Sequence, residues 1–253
     1  MGLRIYLAGR LCVESRGRWL GERDFPGRQG RLAFAYLTLQ RDRAVPRHEL
    51  AEVLWPGGPP ATWQTAVSVV VSNLRLLLSR VGLPRDGVLA FNSGCYQLRL
   101  PPDAWIDVAA ARDALERAEA ALRNDEATTA YGWAGVVTAI GRRELLPGET
   151  APWLDRDRDE VQRLFVRGLD CFAEVLIRKG EPALAVAAAE TALAQEPFHE
   201  TGYQILLRAH AAAGNRAEAL RAYERCRRLL AEELGTDPSA QTQAVYLEIL
   251  TTP

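Results

Sequence analysis

The sequence predicts an α+β winged helix-turn-helix at the N-terminus, followed by an all-α domain of tetratricopeptide-like helical repeats. Three observations predict this. The stretch Pro60 to Gly82 reads as one amphipathic helix, with a shorter helix before it and a hairpin after it. Strand signals stop at Pro101-Pro102, the expected boundary between a domain over residues 1–102 and one over 103–253. Near the C-terminus GEPALAVAAAE, from Gly180, recurs as GNRAEALRAYE from Gly214, an offset of 34 residues with glycine, three alanines and a glutamate in register.

Taken in order, Leu3 to Glu14 is rich in alternating and β-branched residues and reads as one strand. Arg16-Gly17-Arg18 is a turn, Trp19-Leu20 opens a second short strand, and Asp24 to Gly27 is a further turn. Arg28 to Gln40 has helical spacing, with Gly30 a mild cost in propensity. Arg41 to Pro46 is a break with room for a short extended piece, and Arg47 to Trp55 is a short helix turning Leu50, Val53 and Leu54 inward.

The next helix organises the domain. Val67, Val70, Val71, Leu74, Leu77, Leu78 and Val81 form its apolar stripe. Thr65, Val69, Ser72, Asn73, Leu76, Ser79 and Arg80 lie opposite, with Ser68 and Arg75 on the flanks. Thr62 is the expected cap and Gly82 the expected stop. Val88–Phe91 and Cys95–Leu100 flank Asn92-Ser93-Gly94, a hairpin signal that supplies the wing. Helix, turn, helix, hairpin is the order in which a second helix enters a DNA major groove.

Beyond residue 102 the expected helices are Val108–Leu122, Ala127–Ile140, Trp153–Arg178 and the repeats from Pro182 onward, with Pro197 and Pro238 near the turns of each unit. Small residues at the repeat positions let paired helices approach closely.

Charge divides along the same line. The first 102 residues hold 14 arginines and seven acids, a balance of +7; the remaining 151 hold 17 basic and 25 acidic residues, a balance of −8. A basic first half suits a polyanion. No apolar run reaches the roughly 18 residues needed to span a bilayer. The N-terminus lacks a secretory signal, and Met1-Gly2 with Tyr6 does not match a myristoylation motif, so the chain reads as cytoplasmic with no membrane partner.

Catalysis is not indicated. There is no phosphate-cradling glycine loop, and His48, His199 and His210 have no metal spacing. Cys12, Cys95, Cys171 and Cys226 are too scattered for a zinc site or a disulfide framework. The run Asp155 to Glu160, DRDRDE, alternates sign like a solvated helix face. No cofactor is expected.

Four blocks carry a family resemblance: RQGRLAFAYL from Arg28, HELAEVLWPGGPPATWQTAVSVVVSNLRLLL from His48, GCYQLRLP from Gly94, and ETGYQILLRAHAAAGNRAEALRAYERCRRLLAEELGTDPS from Glu200. Over nearly its full length the chain resembles the SARP-type regulators, the antibiotic regulatory protein family. Its second half is similar to the bacterial transcriptional activator domain. The resemblance implies a transcription factor whose winged helix binds double-stranded promoter DNA, often at direct repeats. It also implies a helical half that serves dimerisation and contacts RNA polymerase or a sigma factor.

On that reading Thr65, Ser68, Val69, Ser72, Asn73 and Leu76 face base edges. Arg47, Arg75 and Arg80 hold phosphates, and Asn92 and Ser93 sit at the wing tip near the minor groove. The chain departs from many relatives in carrying fewer arginines on the reading helix, hence fewer guanine contacts. Val69 and Leu76 suit thymine methyls and Asn73 suits adenine. The same neutral face equally suits an adaptor whose winged helix has lost DNA binding and which binds proteins instead.

Overall fold

The computed structural model describes residues 2–251. Met1, Thr252 and Pro253, the outermost positions of the two expected domains, lie outside the described residues. The chain divides into two compact units, one of Met1–Ala110 with Arg143–Asp159, the other of Ala111–Arg142 with Glu160–Pro253.

The first unit contains seven strands among its described residues, β1 (Arg4–Tyr6), β2 (Cys12–Ser15), β3 (Arg18–Gly21), β4 (Val45–Pro46), β5 (Leu89–Asn92), β6 (Cys95–Leu98) and β7 (Trp105–Ile106). Helices α1 (Gly27–Leu39), α2 (Arg47–Leu54) and α3 (Trp63–Ser79) lie between β3 and β5 in sequence, with β4 between α1 and α2. One sheet has the order β3-β2-β1-β7, the other β4-β6-β5. The single strand expected over Leu3–Glu14 is two strands, because the chain folds back at Gly9, whose φ of 81° favours glycine. A strand also lies past Pro101-Pro102, where none was expected. β7 is only two residues long and pairs in parallel with β1. Asp107 then anchors the edge, its carboxylate accepting the amides of Leu7 and Ala8 at 2.8 Å each. Burial raises its pKa, partly opposed by these amides and that of Val108.

Helix α1 is the core of this unit, with Gly30 and every residue from Leu32 to Thr38 buried. Gly30 is a packing requirement more than a propensity cost: a Cβ there would lie 2.6 Å from Cγ of Pro26. Residues 143–159 also belong to this unit, a return that local sequence patterns did not reveal. Leu145 bridges Ala8, Glu149 pairs with Arg28 at 3.2 Å and Arg31 at 2.6 Å, and the Trp153 ring lies 5.0 Å from that of Tyr36. The DRDRDE run is accordingly not a wholly solvated face. Arg158 donates to the carbonyls of Leu145, Leu146 and Glu149 at 2.9–3.1 Å. This return also softens the charge asymmetry. The first unit holds 17 basic and 14 acidic residues, the second 14 and 18.

The second unit is helical. Helices α4 (Asp107–Arg123) and α6 (Pro152–Arg178) begin in the first unit's segments and continue into this one, joined by α5 (Ala127–Gly141), α7 (Pro182–Gln195), α8 (Glu200–Ala212), α9 (Arg216–Leu234) and α10 (Ala240–Thr251). Of the three alanine pairs repeated in register, Ala185 with Ala219 and Ala188 with Ala222 are buried, while Ala183 and Ala217 are exposed. Pro197 and Pro238 fall in the α7–α8 and α9–α10 turns, as the repeat predicted. Close approach extends to Gly202, where a Cβ would meet the Leu193 side chain at 3.1 Å. Burial pushes the thiols of Cys171 and Cys226 up to about 12 and about 11, as suits packed, unreactive side chains.

Candidate nucleic-acid interface

The candidate interface is built from α2, α3 and the β5–β6 hairpin, all in the first unit. The apolar stripe of α3 faces the core: Val67, Val71, Leu74, Leu77, Leu78 and Val81 are buried, and Val70 is half-buried. Thr62 occupies the N-cap position, but its side chain makes no capping hydrogen bond, so the helix start rests on the Pro59-Pro60 turn and on packing. The outward row is Thr65, Ser68, Val69, Ser72, Asn73 and Leu76, all exposed. Val69 and Leu76 are 54% and 53% exposed, large values for branched aliphatics in a folded domain.

The wing is a tight hairpin. Asn92 pairs with Cys95, leaving Ser93 and Gly94 as a two-residue turn with φ of 49° and 79°. Two positive φ values define a type I′ turn, whose twist matches the strands it joins. Asn92 and Ser93 are exposed at the tip. The hairpin is tied to the rest of the motif through β4, which pairs with β6, and through the Arg47 amide, which donates to the Gly94 carbonyl at 2.9 Å.

The three arginines expected on phosphates are each partnered within the protein. Arg47 reaches from the start of α2 to α3, where its guanidinium bonds the Gln64 carbonyl and Ser68 Oγ, the latter at 2.6 Å. It also sits 6.0 Å from the Trp63 ring and 5.8 Å from the Phe91 ring. Arg75 is half-buried and donates Nε to the Leu89 carbonyl at 3.0 Å, fastening α3 to the wing. Arg80 pairs with Asp24 at 3.2 Å and stays largely exposed. The reason is geometric: Arg75 sits on the flank of the outward row and Arg47 at the start of α2 within reach of α3, where neighbouring carbonyls compete for each guanidinium. These two arginines therefore brace α3 against its neighbours. Arg80 differs, because an exposed ion pair contributes only about 0–1 kcal/mol and yields readily to a phosphate.

Sequence reading missed Phe91 and Trp63. Phe91 is 44% exposed on the wing and packs on Tyr96 with ring centroids 4.6 Å apart. Alternation puts Phe91 on the same face as buried Leu89, and it is exposed because it lies two residues farther out toward the wing tip. Behind this surface, Tyr36 donates to Glu49, which also binds Arg43. Burial and then the Glu49 bond push the Tyr36 hydroxyl up to about 12.

Fold and site together define a winged-helix regulator carrying a helical repeat domain. The family profile described as the bacterial transcriptional activator domain matches residues 106–250. The chain belongs to that family and is a SARP-type transcriptional regulator; this is a family of regulators, not of enzymes. It is 30% identical over 222 residues to the regulatory protein AfsR of Streptomyces coelicolor, covering 88% of this chain and 22% of AfsR. It is 28% identical over 232 residues to DnrI of Streptomyces peucetius, covering 88% of this chain and 84% of that protein. The chain thus spans about a fifth of AfsR, while matching most of DnrI. The structure of Mycobacterium tuberculosis EmbR, solved in complex with a low affinity phosphopeptide, shares the fold with a TM-score of 0.89 at 24% identity. That match covers 98% of this chain and 65% of EmbR. Among the described residues no helix is long and apolar enough to cross a membrane, and no cluster of three or more metal-ligating side chains occurs.

Proposed function

We propose that this chain is a sequence-specific DNA-binding transcriptional activator. The winged helix lays α3 in the major groove of promoter direct repeats and sets Asn92 and Ser93 near the minor groove. The observation that carries this reading is the row Thr65, Ser68, Val69, Ser72, Asn73 and Leu76, exposed along one face of α3 beside a braced wing. Two copies on a direct repeat place equivalent helices about one helical turn apart. The helical unit then serves dimerisation and contact with RNA polymerase or a sigma factor.

The test is a salt-titrated mobility shift on DNA upstream of the protein's own gene and its neighbours. A specific complex is expected that weakens with salt. Asn73→Ala lowers affinity about tenfold, the value of a bidentate adenine contact. Arg80→Ala flattens the log–log salt slope by about 0.9, one phosphate contact. The arginines already engaged inside the protein favour a second reading, an adaptor that uses this face for protein. Absence of any specific complex at low salt decides for the adaptor.

A further inference from the structure

We infer that the operator is read chiefly through thymine methyl groups, by Val69 and Leu76, with no arginine-to-guanine contact from the reading helix. The inference rests on the DNA-binding reading above and adds the chemistry of the bases. On that reading any major-groove base contact comes from the outward row of α3. That row holds three hydrogen-bonding side chains that are exposed and make no side-chain hydrogen bond among the described residues, namely Thr65, Ser72 and Asn73. It holds two large apolar ones, Val69 and Leu76, each more than half exposed. The nearby arginines are used otherwise: Arg47 bonds Gln64 and Ser68, Arg75 bonds the Leu89 carbonyl, and Arg80, in an exposed pair with Asp24, is the phosphate contact of the reading above.

In the major groove only thymine offers an apolar group, its C5 methyl. Guanine asks for a bidentate donor, which this face lacks. Burying an aliphatic side chain against guanine or cytosine edges would strip water from polar atoms without replacing their hydrogen bonds. The apolar pair therefore selects thymine. Val69 and Leu76 are two turns apart on one face, about 10 Å along the axis. That separation matches thymines roughly three base pairs apart. Asn73 lies between them in register and is placed for an adenine in the intervening steps.

The experiment selects tight sites for the full chain from a random duplex pool, then replaces each thymine in the winning site by deoxyuridine. Only the methyl group is lost. Affinity is read by fluorescence anisotropy. Two positions are expected to lose about three- to fivefold each, the value of one buried methyl. Val69→Ala is expected to erase the loss at one position and Leu76→Ala at the other. Both side chains are exposed, so neither variant threatens the fold. A selected site whose binding ignores deoxyuridine throughout, or whose sensitivity persists unchanged in both variants, overturns this inference while leaving DNA binding intact. A guanine-dominated site that loses affinity with Arg75→Ala or Arg80→Ala in a base-specific way also overturns it. Failure to select any site overturns the inference and the DNA-binding reading together, and points to a protein on this face.

Discussion

Helices α3 and α9 are both amphipathic, yet their outer faces are finished in opposite ways. On α9 three arginines stand outside and pair with acids, Arg221 with Glu218, Arg227 with Glu224, and Arg225 with Glu190 on α7 at 3.1 Å, while Arg216 donates to the Leu250 carbonyl of α10. Its apolar side, Ala219, Ala222, Cys226 and Leu230, is sealed, and among its large apolar side chains only Leu234 at the end is exposed. On α3 the one arginine, Arg75, is drawn to the flank as a brace, and two branched aliphatics are left in solvent. The outer face of α9 is therefore complete in water. That of α3 is not, and its apolar area is available for a partner to cover.

The contrast breaks first at the core. Leu74 and Leu76 are two residues apart on α3, one fully buried and one half exposed. Leu74→Ala is expected to cost about 2–5 kcal/mol, the lost burial plus the cavity. Leu76→Ala is expected to stay within about 0.5 kcal/mol of the parent. Urea unfolding of the two variants measures both. Equal destabilisation would mean that the outward row packs inside the protein and is not a reading face.

A smaller effect is expected in the repeat. Ala219 is fully buried on α9, in a close-packed seam of small residues. Ala219→Leu forces the helices apart and is expected to cost about 1–3 kcal/mol. Thermal unfolding followed by circular dichroism tests this. A neutral result would show that the alanines are tolerated by the seam and not demanded by it.

These two regions were legible in the sequence to different degrees. The 34-residue period and the α3 stripe are local patterns, so the helices and the sides of α3 that are buried or exposed follow from spacing alone. The pairing of β1 with β7 and the return of Leu145, Glu149 and Trp153 to the first unit are long-range contacts, and no local pattern encodes them. The same limit applies to the site. Spacing put Arg75 on the flank of the outward face and Arg47 at the start of the preceding helix, but only three-dimensional neighbours reveal the carbonyls that claim them.

The difference between brace and contact can be measured. Arg75→Ala removes the link from α3 to the Leu89 carbonyl and is expected to cost about 1 kcal/mol of stability. Its effect on DNA binding is a uniform loss through a loosened wing, with the salt slope unchanged. Arg80→Ala is expected to do the reverse, leaving stability nearly intact and flattening the slope. If Arg75→Ala also flattens the slope, Arg75 leaves its carbonyl when DNA binds, and the division between brace and contact fails.

The smallest effect separates the two units by pH. In the repeat, His199 at the start of α8 bonds Asp170 on α6, Nε2 to Oδ2 at 2.6 Å. That bond raises the pKa of His199 above its ordinary 6.5; burial opposes it, and the nearby Asp170 and Glu196 charges add to it. A raised pKa means the folded state favours the protonated ring. The stabilisation is fully present below about pH 6.5 and is lost as pH rises through the folded value. His199→Gln should therefore lower the urea midpoint most near pH 5.5, with the gap to the parent narrowing toward pH 9. Glu200, on the same helix, does not interfere in that window. Although burial pulls its pKa upward, its bonds to Thr242 and Ser239 hold it below the ordinary carboxylate value. A gap that stays constant with pH would mean that His199 only fills space at the α7–α8 turn. The α6–α8 joint would then be held by packing alone, like the alanine seam of α9 beside it.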